Sequence, residues 1–207
     1  ETTKGCKDTA FQNIDVYPAV TALFNSDTAD CSPFDVDFFD TSIGAVNYTW
    51  NFGDGSPLDN TQNPSHQYTN TTNFDVTYTA TLIIGSIFGC FDTTQQTITV
   101  YATPVASFLP TPFIQTFPST IVAMSNTTSP GPWQYSWDFG DTTFSILQAP
   151  PNHNYSSWGT FSITLTVSTA NCTDTAVQII EIVPPIPVAS FQGPAQGCRP
   201  LSVQFIN

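Results

Sequence analysis

Three stretches alternate apolar and polar residues with the two-residue period of a strand: 77–84 (TYTATLII), 95–100 (QQTITV) and 161–167 (FSITLTV). Successive side chains on a strand point to opposite faces, so this pattern buries one face and leaves the other to solvent. No window sustains the 3.6-residue spacing of a helix. The runs draw on Thr, Phe, Tyr, Val and Ile, which fit a pleated surface. Between them the chain is rich in Pro, Asn, Asp and Gly, the residues that set turns. The pattern predicts an all-β chain.

The pattern also repeats. The segments GCKDTAFQNIDVYP (5–18), GCFDTTQQTITVYATP (89–104) and NCTDTAVQIIEIVPP (171–185) match one another, and their cysteines lie 84 and then 82 residues apart. Each is followed by a second match: VTALF (20–24), VASF (105–108) and VASF (188–191). A period of this length is too long for a solenoid unit and suits one small β-sandwich per repeat. The expected organisation is two whole domains, 19–103 and 104–186. Residues 1–18 would be the last strand of a preceding domain, and 187–207 the first strands of a following one. Lone strands leave backbone groups unpaired, so the chain reads as a window of a longer array.

Composition narrows the functions. The 207 residues are 40% hydrophobic, enough to build cores, but only 9% charged. Three basic residues stand against sixteen acidic ones, a formal charge of −13. Nucleic-acid binding needs Lys and Arg to release counterions, and anionic membrane surfaces attract the same residues; neither partner is expected. No apolar run reaches the roughly 18 residues of a membrane span, so no direct membrane insertion is expected. No basic-then-apolar leader opens the sequence as given.

One string occurs twice: YTWNFGDGSPLDNTQNPSHQY (48–68) and YSWDFGDTTFSILQAPPNHNY (135–155). Both resemble the signature of the polycystic kidney disease (PKD) repeat, Tyr-x-Trp-x-Phe-Gly-Asp-Gly, then Asn-Pro-x-His-x-Tyr, then Gly-Thr-Tyr and an alternating strand. The second repeat carries that last part as WGTFSITLTV (158–167) but has Thr142 where the signature has its final Gly. The first has TNFDVTYTATLII and no Gly-Thr. The resemblance implies tandem immunoglobulin-like sandwiches. Trp50 and Trp137, with Phe52 and Phe139 two residues on, would face inward. Gly53-Asp54 and Gly140-Asp141 would form a turn, with the Asp accepting backbone N–H bonds. His66 and His153 would tie the following loop to that turn.

Little in the chain suggests catalysis. There are two His, one per repeat, and no Gly-x-Ser-x-Gly elbow to supply a nucleophile. Zinc is not expected, because Cys and His never fall in ligand spacing. No cofactor is expected; calcium is the one metal the acids admit, at 27–37 (DTADCSPFDVD) and 37–42 (DFFDTS). Trp133 and Trp158, outside the core Trp positions, are candidate sugar-stacking residues.

In the implied sandwich, Cys90 and Cys172 begin the last strand, as Cys6 does in its segment, and Cys31 and Cys198 precede the second. These positions lie at opposite poles of one domain, too far apart for a disulfide. The expected bond is Cys31 to Cys172, with a Cys31–Cys90 bridge or free thiols as competing outcomes. A disulfide would place the chain in an oxidising, extracellular setting. Asp-Thr followed by Ala or Thr occurs five times, making Thr9, Thr28, Thr93, Thr142 and Thr175 candidate glycosylation sites. This resembles the O-glycosylation sequence of Bacteroidota, and the arrays resemble that phylum's large type IX-secreted surface proteins. The competing account is that Asp-Thr is a turn before the last strand.

The expectation is therefore a structural segment of an extracellular rod or filament at the cell surface, the stalk of a large adhesin or gliding-motility protein. Its partners would be neighbouring domains of the same chain, with self-association or surface glycans beside them. The alternative is an accessory carbohydrate- or protein-binding module of a secreted hydrolase.

Overall fold

The structure, a computed structural model, describes Gly5 and residues 8–190. It divides into two compact units. One comprises the chain up to Thr103 with Thr169–Cys172; the other comprises Pro104–Ser168 and the chain from Thr173 on. All regular structure among the described residues is strand.

The first unit contains β1 (Phe24–Asn25), β2 (Ala29–Cys31), β3 (Phe34–Asp37), β4 (Phe39–Asp40), β5 (Asn47–Asn51), β6 (Ser65–Tyr68), β7 (Val76–Gly85) and β8 (Phe91–Tyr101). One sheet has the order β2-β8-β7-β5, with β2 parallel to β8 and the other pairs antiparallel. Across the core, β3 pairs with β6 and β4 with β1. β3 and β4 are nearly one strand, interrupted at Phe38, whose N–H bonds the Pro64 carbonyl and whose ring is fully buried. The alternation read from 77–84 sets the faces of β7. Ala80, Leu82 and Ile84 are buried, while Ile83 between them is exposed. They join Val36, Phe38, Trp50, Tyr68, Ile98 and Val100 in one core. Each large apolar side chain so buried contributes about 1.5–3 kcal/mol.

The second unit repeats the plan with β9 (Phe108–Thr111), β10 (Ile114–Thr116), β11 (Ile121–Asn126), β12 (Gln134–Asp138), β13 (Phe144–Ser145), β14 (His153–Asn154), β15 (Gly159–Ser168) and β16 (Thr173–Val183). Its sheets run β10-β16-β15-β12-β13 and β14-β11-β9, with β10 parallel to β16. Trp137, Tyr155, Ile163, Leu165, Val167, Ile180 and Ile182 fill its core.

Residues 8–18 match β8 and β16 in sequence yet form no strand here. A strand is held by a neighbour's ladder, and these residues pair with none; Phe11, Ile14 and Val16 are exposed. The strands expected over 187–207 fall almost wholly outside the described residues, and 187–190 are in no strand.

Candidate functional site

The two Trp-x-Phe-Gly-Asp strings sit at the ends of β5 and β12, where both build the same network. Trp50 lies on β5 opposite Leu82, and its indole N–H donates to the Thr61 carbonyl at 3.0 Å. Trp137 lies on β12 opposite Leu165 and donates to the Leu147 carbonyl at 2.9 Å. Each buried ring thereby fills a core and satisfies its one donor. Phe52 and Phe139 follow on the same face and are buried as well.

The strand then turns sharply. Gly53 (φ 82°) and Gly140 (φ 78°) adopt the left-handed region. Each N–H donates to the side chain two residues before, Asn51 and Asp138. A Cβ at Gly53 would lie 2.4 Å from the Thr79 carbonyl oxygen, and one at Gly140 2.6 Å from that of Ser162. Glycine is therefore required twice over, by dihedral and by space.

Asp54 and Asp141 hold the turn from within. Asp54 Oδ1 accepts the N–H and hydroxyl of Ser56, and Asp141 Oδ1 accepts the same groups of Thr143. The other carboxylate oxygen meets a histidine: Asp54 Oδ2 lies 2.8 Å from His66 Nε2, and Asp141 Oδ2 2.7 Å from His153 Nε2. A carboxylate accepts, so Nε2 carries the proton. The imidazoles stack on the phenylalanines, with centroids 4.0 Å apart for Phe52–His66 and 4.1 Å for Phe139–His153. Tyr68 and Tyr155 present their edges to those rings, and their hydroxyls donate to the Phe52 and Phe139 carbonyls.

The electrostatics follow the geometry. Burial pushes the carboxyl pKa of Asp54 up, but hydrogen bonds from Ser56 and His66, with the charge of His66, together outweigh it, and the net shift is down. Asp141 is lowered by the same balance, with Thr143 and His153 as donors. Burial raises the phenols of Tyr68 and Tyr155, and the neighbouring Asp charges add to it.

Thr143 Oγ1 also lies 3.3 Å from His153 Nε2, which brings Thr, His and Asp together. A hydrolytic triad needs the carboxylate on one ring nitrogen and the nucleophile on the other. Here both meet Nε2, and the Thr143 hydroxyl donates to Asp141. The arrangement fixes a loop, with the hydroxyl and the carboxylate gathered on one ring nitrogen.

Among the cysteines, Cys31 at the end of β2 is bonded to Cys172, with Cα atoms 5.8 Å apart and a sequence separation of 141. Cys172 lies in the β15–β16 turn that groups with the first unit. Cys90, at the matching position before β8, is unbonded and half-buried. Cys6 and Cys198 lie outside the described residues.

The Asp-Thr pairs at 92–93 and 174–175 stand inside β8 and β16, so the turn proposed for them is replaced by a different role. Asp92 Oδ2 accepts the Ala22 N–H at 2.8 Å, and Asp174 Oδ2 accepts the Ala106 N–H at 2.8 Å. Each carboxylate fastens the VTALF or VASF segment to the last strand of its own repeat. Bonds from the Ala22 and Thr93 N–H groups lower the pKa of Asp92. The following threonines face outward. Thr9, Thr28, Thr93, Thr142 and Thr175 are all exposed.

Several acids in the loops considered for calcium have protein donors. Asp40 accepts from Ser42 and Gln62, Asp35 from Gln67, and Asp30 from the Cys31 N–H. Among the described residues no group of three or more His, Cys, Asp or Glu gathers as a metal site. Trp133 is not a sugar platform: it is buried over Gly131, with its N–H on the Ser129 carbonyl at 2.7 Å. Trp158 is 58% exposed.

Sequence reading missed Asn70, a buried amide in the first repeat. Its Nδ2 donates to the Phe74 and Val100 carbonyls, and its Oδ1 accepts from Thr72. It braces the loop before β7, where the second repeat has Trp158-Gly159-Thr160. The missing Gly-Thr was the one signal that something else must hold that loop.

Two antiparallel-rich sandwiches in succession, each closed by an inward Trp and a His-pinned Asp turn, define a chain of tandem immunoglobulin-like modules. The PKD domain family model matches residues 15–100 and again 101–183, and the chain belongs to that family. Similar solved structures include the PKD1 domain of Vibrio anguillarum Epp, at 29% identity over 41% of this chain and 96% of that one, with a TM-score of 0.34. The PKD1 domain of the Vibrio cholerae metalloprotease PrtV is 30% identical over 41% of this chain and 99% of that one, also with a TM-score of 0.34. No curated protein matches the chain.

Proposed function

We propose that this chain is a load-bearing segment of an extracellular rod or filament, the stalk of a large bacterial surface adhesin or gliding-motility protein, and that it performs no catalysis. The observation that carries the reading is the doubled Trp–Phe–His–Asp–Tyr network. In both repeats its polar atoms are spent on holding a turn, which is what a building block requires and an active site does not. The Cys31–Cys172 bond supports an oxidising, extracellular setting. Proline-rich joins such as YATPVASF (101–108) and VPPIPVAS (183–190) support restricted linkers. Neighbouring PKD domains of the same polypeptide are the partners this reading needs. The five exposed Asp-Thr threonines would carry O-linked sugar.

Immunogold labelling of intact source cells tests the location, and deletion of the coding segment tests the role. Label on projecting structures with loss of attachment or gliding supports the reading; intracellular label sinks it. Peptide mass spectrometry of the native protein decides whether Thr93 and Thr175 carry sugar.

A second reading, an accessory module of a secreted hydrolase, draws on the exposed aromatic faces of Trp158 and Phe144. Such faces stack on sugars or partner side chains. Retention on insoluble polysaccharide, lost in Trp158→Ala, would favour it.

A further inference from the structure

We infer that the Cys31–Cys172 bond makes most of this chain a covalently bypassed loop, so that neither tension nor a single backbone cut within residues 32–171 breaks the continuity of the molecule. The purpose of such a bypass rests on the rod reading, but its existence rests on connectivity alone. The bond joins positions 141 residues apart. Force applied to the two ends of a polypeptide travels through covalent bonds. At Cys31 that path crosses the two sulfurs to Cys172, and residues 32–171 hang beside it. The loop contains every strand from β3 to β15, with Trp50, His66, Tyr68, Trp137, His153 and Tyr155. Among the described residues, only β1, β2 and β16 stand on the path. β2 is paired with β8, and β16 with β15 and β10, so both described ends of the path are anchored to strands that carry no load.

The same connectivity governs damage. Hydrolysis of one peptide bond in the loop adds a water and yields one carboxylate and one amine, while the S–S bond is untouched. The two pieces stay one molecule. The loop offers exposed turns to a protease, among them Ser156-Ser157 before β15 and Gly55 after the Asp54 turn. An exposed filament would thus survive a nick over most of its length.

The test uses the whole 207-residue chain with one recognition site for a sequence-specific protease inserted between Ser156 and Ser157. After cleavage, the expected result is one species, heavier than the uncut chain by one water, without reductant and two fragments with it. In a second measurement, the unmodified chain is drawn by its ends in a force spectrometer. Full unfolding with the bond intact should release roughly a third of the contour length released after reduction, because only the residues outside the loop can extend. Fragments that separate without reductant, or equal contour lengths in the two states, overturn the inference. If the insertion prevents folding, the force measurement decides alone. Both readouts use purified protein, so a bypass that holds in a chain found inside the cell would sink the rod reading and leave this one standing.

Discussion

Thr142 holds a φ of 71°, where the first repeat places Gly55 at 86°. A β-branched residue in the left-handed region costs about 1–2 kcal/mol, which glycine escapes. Thr142→Gly is therefore expected to stabilise the second repeat by about 1 kcal/mol, part of the relief being offset by glycine's chain entropy. Urea titration of the variant against the parent measures it. The opposite holds at Gly53. Its missing Cβ would sit against the Thr79 carbonyl, so Gly53→Ala should destabilise the first repeat by about 3 kcal/mol or more. The His–Asp pairs give a pH prediction. The carboxyls of Asp54 and Asp141 have folded pKa values below the ordinary carboxylate value of about 3.9. Their contribution is thus fully present above pH of about 4 and is lost as pH falls through the lowered folded values. The partly exposed setting keeps this contribution small. Stability should fall less steeply below about pH 4 in the Asp54→Asn, Asp141→Asn double variant than in the parent, as denaturation midpoints between about pH 5 and 2 would record. Equal acid slopes would mean that the pairs do not govern the turn.

At the scale of strands, the alternating runs were legible because a period of two is a property of contiguous residues. β7 buries every second side chain as 77–84 predicts. β8 keeps the same alternation, with Thr93, Gln95 and Thr97 exposed, but its inward face is only half-buried at Asp92, Thr94 and Gln96 until Ile98 and Val100 reach the core. The Asp-Thr pairs could not be read locally either. Asp92 bonds Ala22, 70 residues away, and nothing adjacent in sequence announces that partner. The same bond in the second repeat, from Ala106 to Asp174, gives a clean test. Asp174→Ala should speed hydrogen exchange at the Ala106 amide while leaving core amides such as Leu165 protected, read by NMR. Unchanged protection at Ala106 would remove the Asp clamp as the reason for Asp at this position. Residues 8–18 make the complementary point. They have the composition of β8 and β16 but no neighbour to bond, and propensity alone does not make a strand.

For the chain as a whole, the disulfide is the long-range feature with the largest expected effect. Closing a loop of 141 residues restricts the unfolded ensemble by about 5 kcal/mol in a chain-entropy account. The Cys31→Ser, Cys172→Ser variant should accordingly lose several kcal/mol toward complete unfolding, seen as a lower midpoint in guanidinium. The parent measured in reductant should match the variant. A variant as stable as the oxidised parent would show that the bond does not form in solution. The low content of Lys and Arg, 3 of 207 residues, adds a second protection, since trypsin-like enzymes find few sites.

The sequence by itself determined the strand character, the two-fold repetition, the inward Trp and Phe, and the glycine turns. The strand character and the repetition follow from periodicity among contiguous residues, while the inward Trp and Phe and the glycine turns follow from the resemblance of the doubled string to the PKD signature. The tertiary structure decided which groups met across distance: it chose the expected Cys31–Cys172 bond over Cys31–Cys90 and left Cys90 free, and it brought Asp92 to Ala22 and Asn70 to the Val100 carbonyl. The physical reason is that a hydrogen bond or a disulfide requires two atoms within a few ångströms. For residues tens of positions apart, only the folded path of the chain sets that distance.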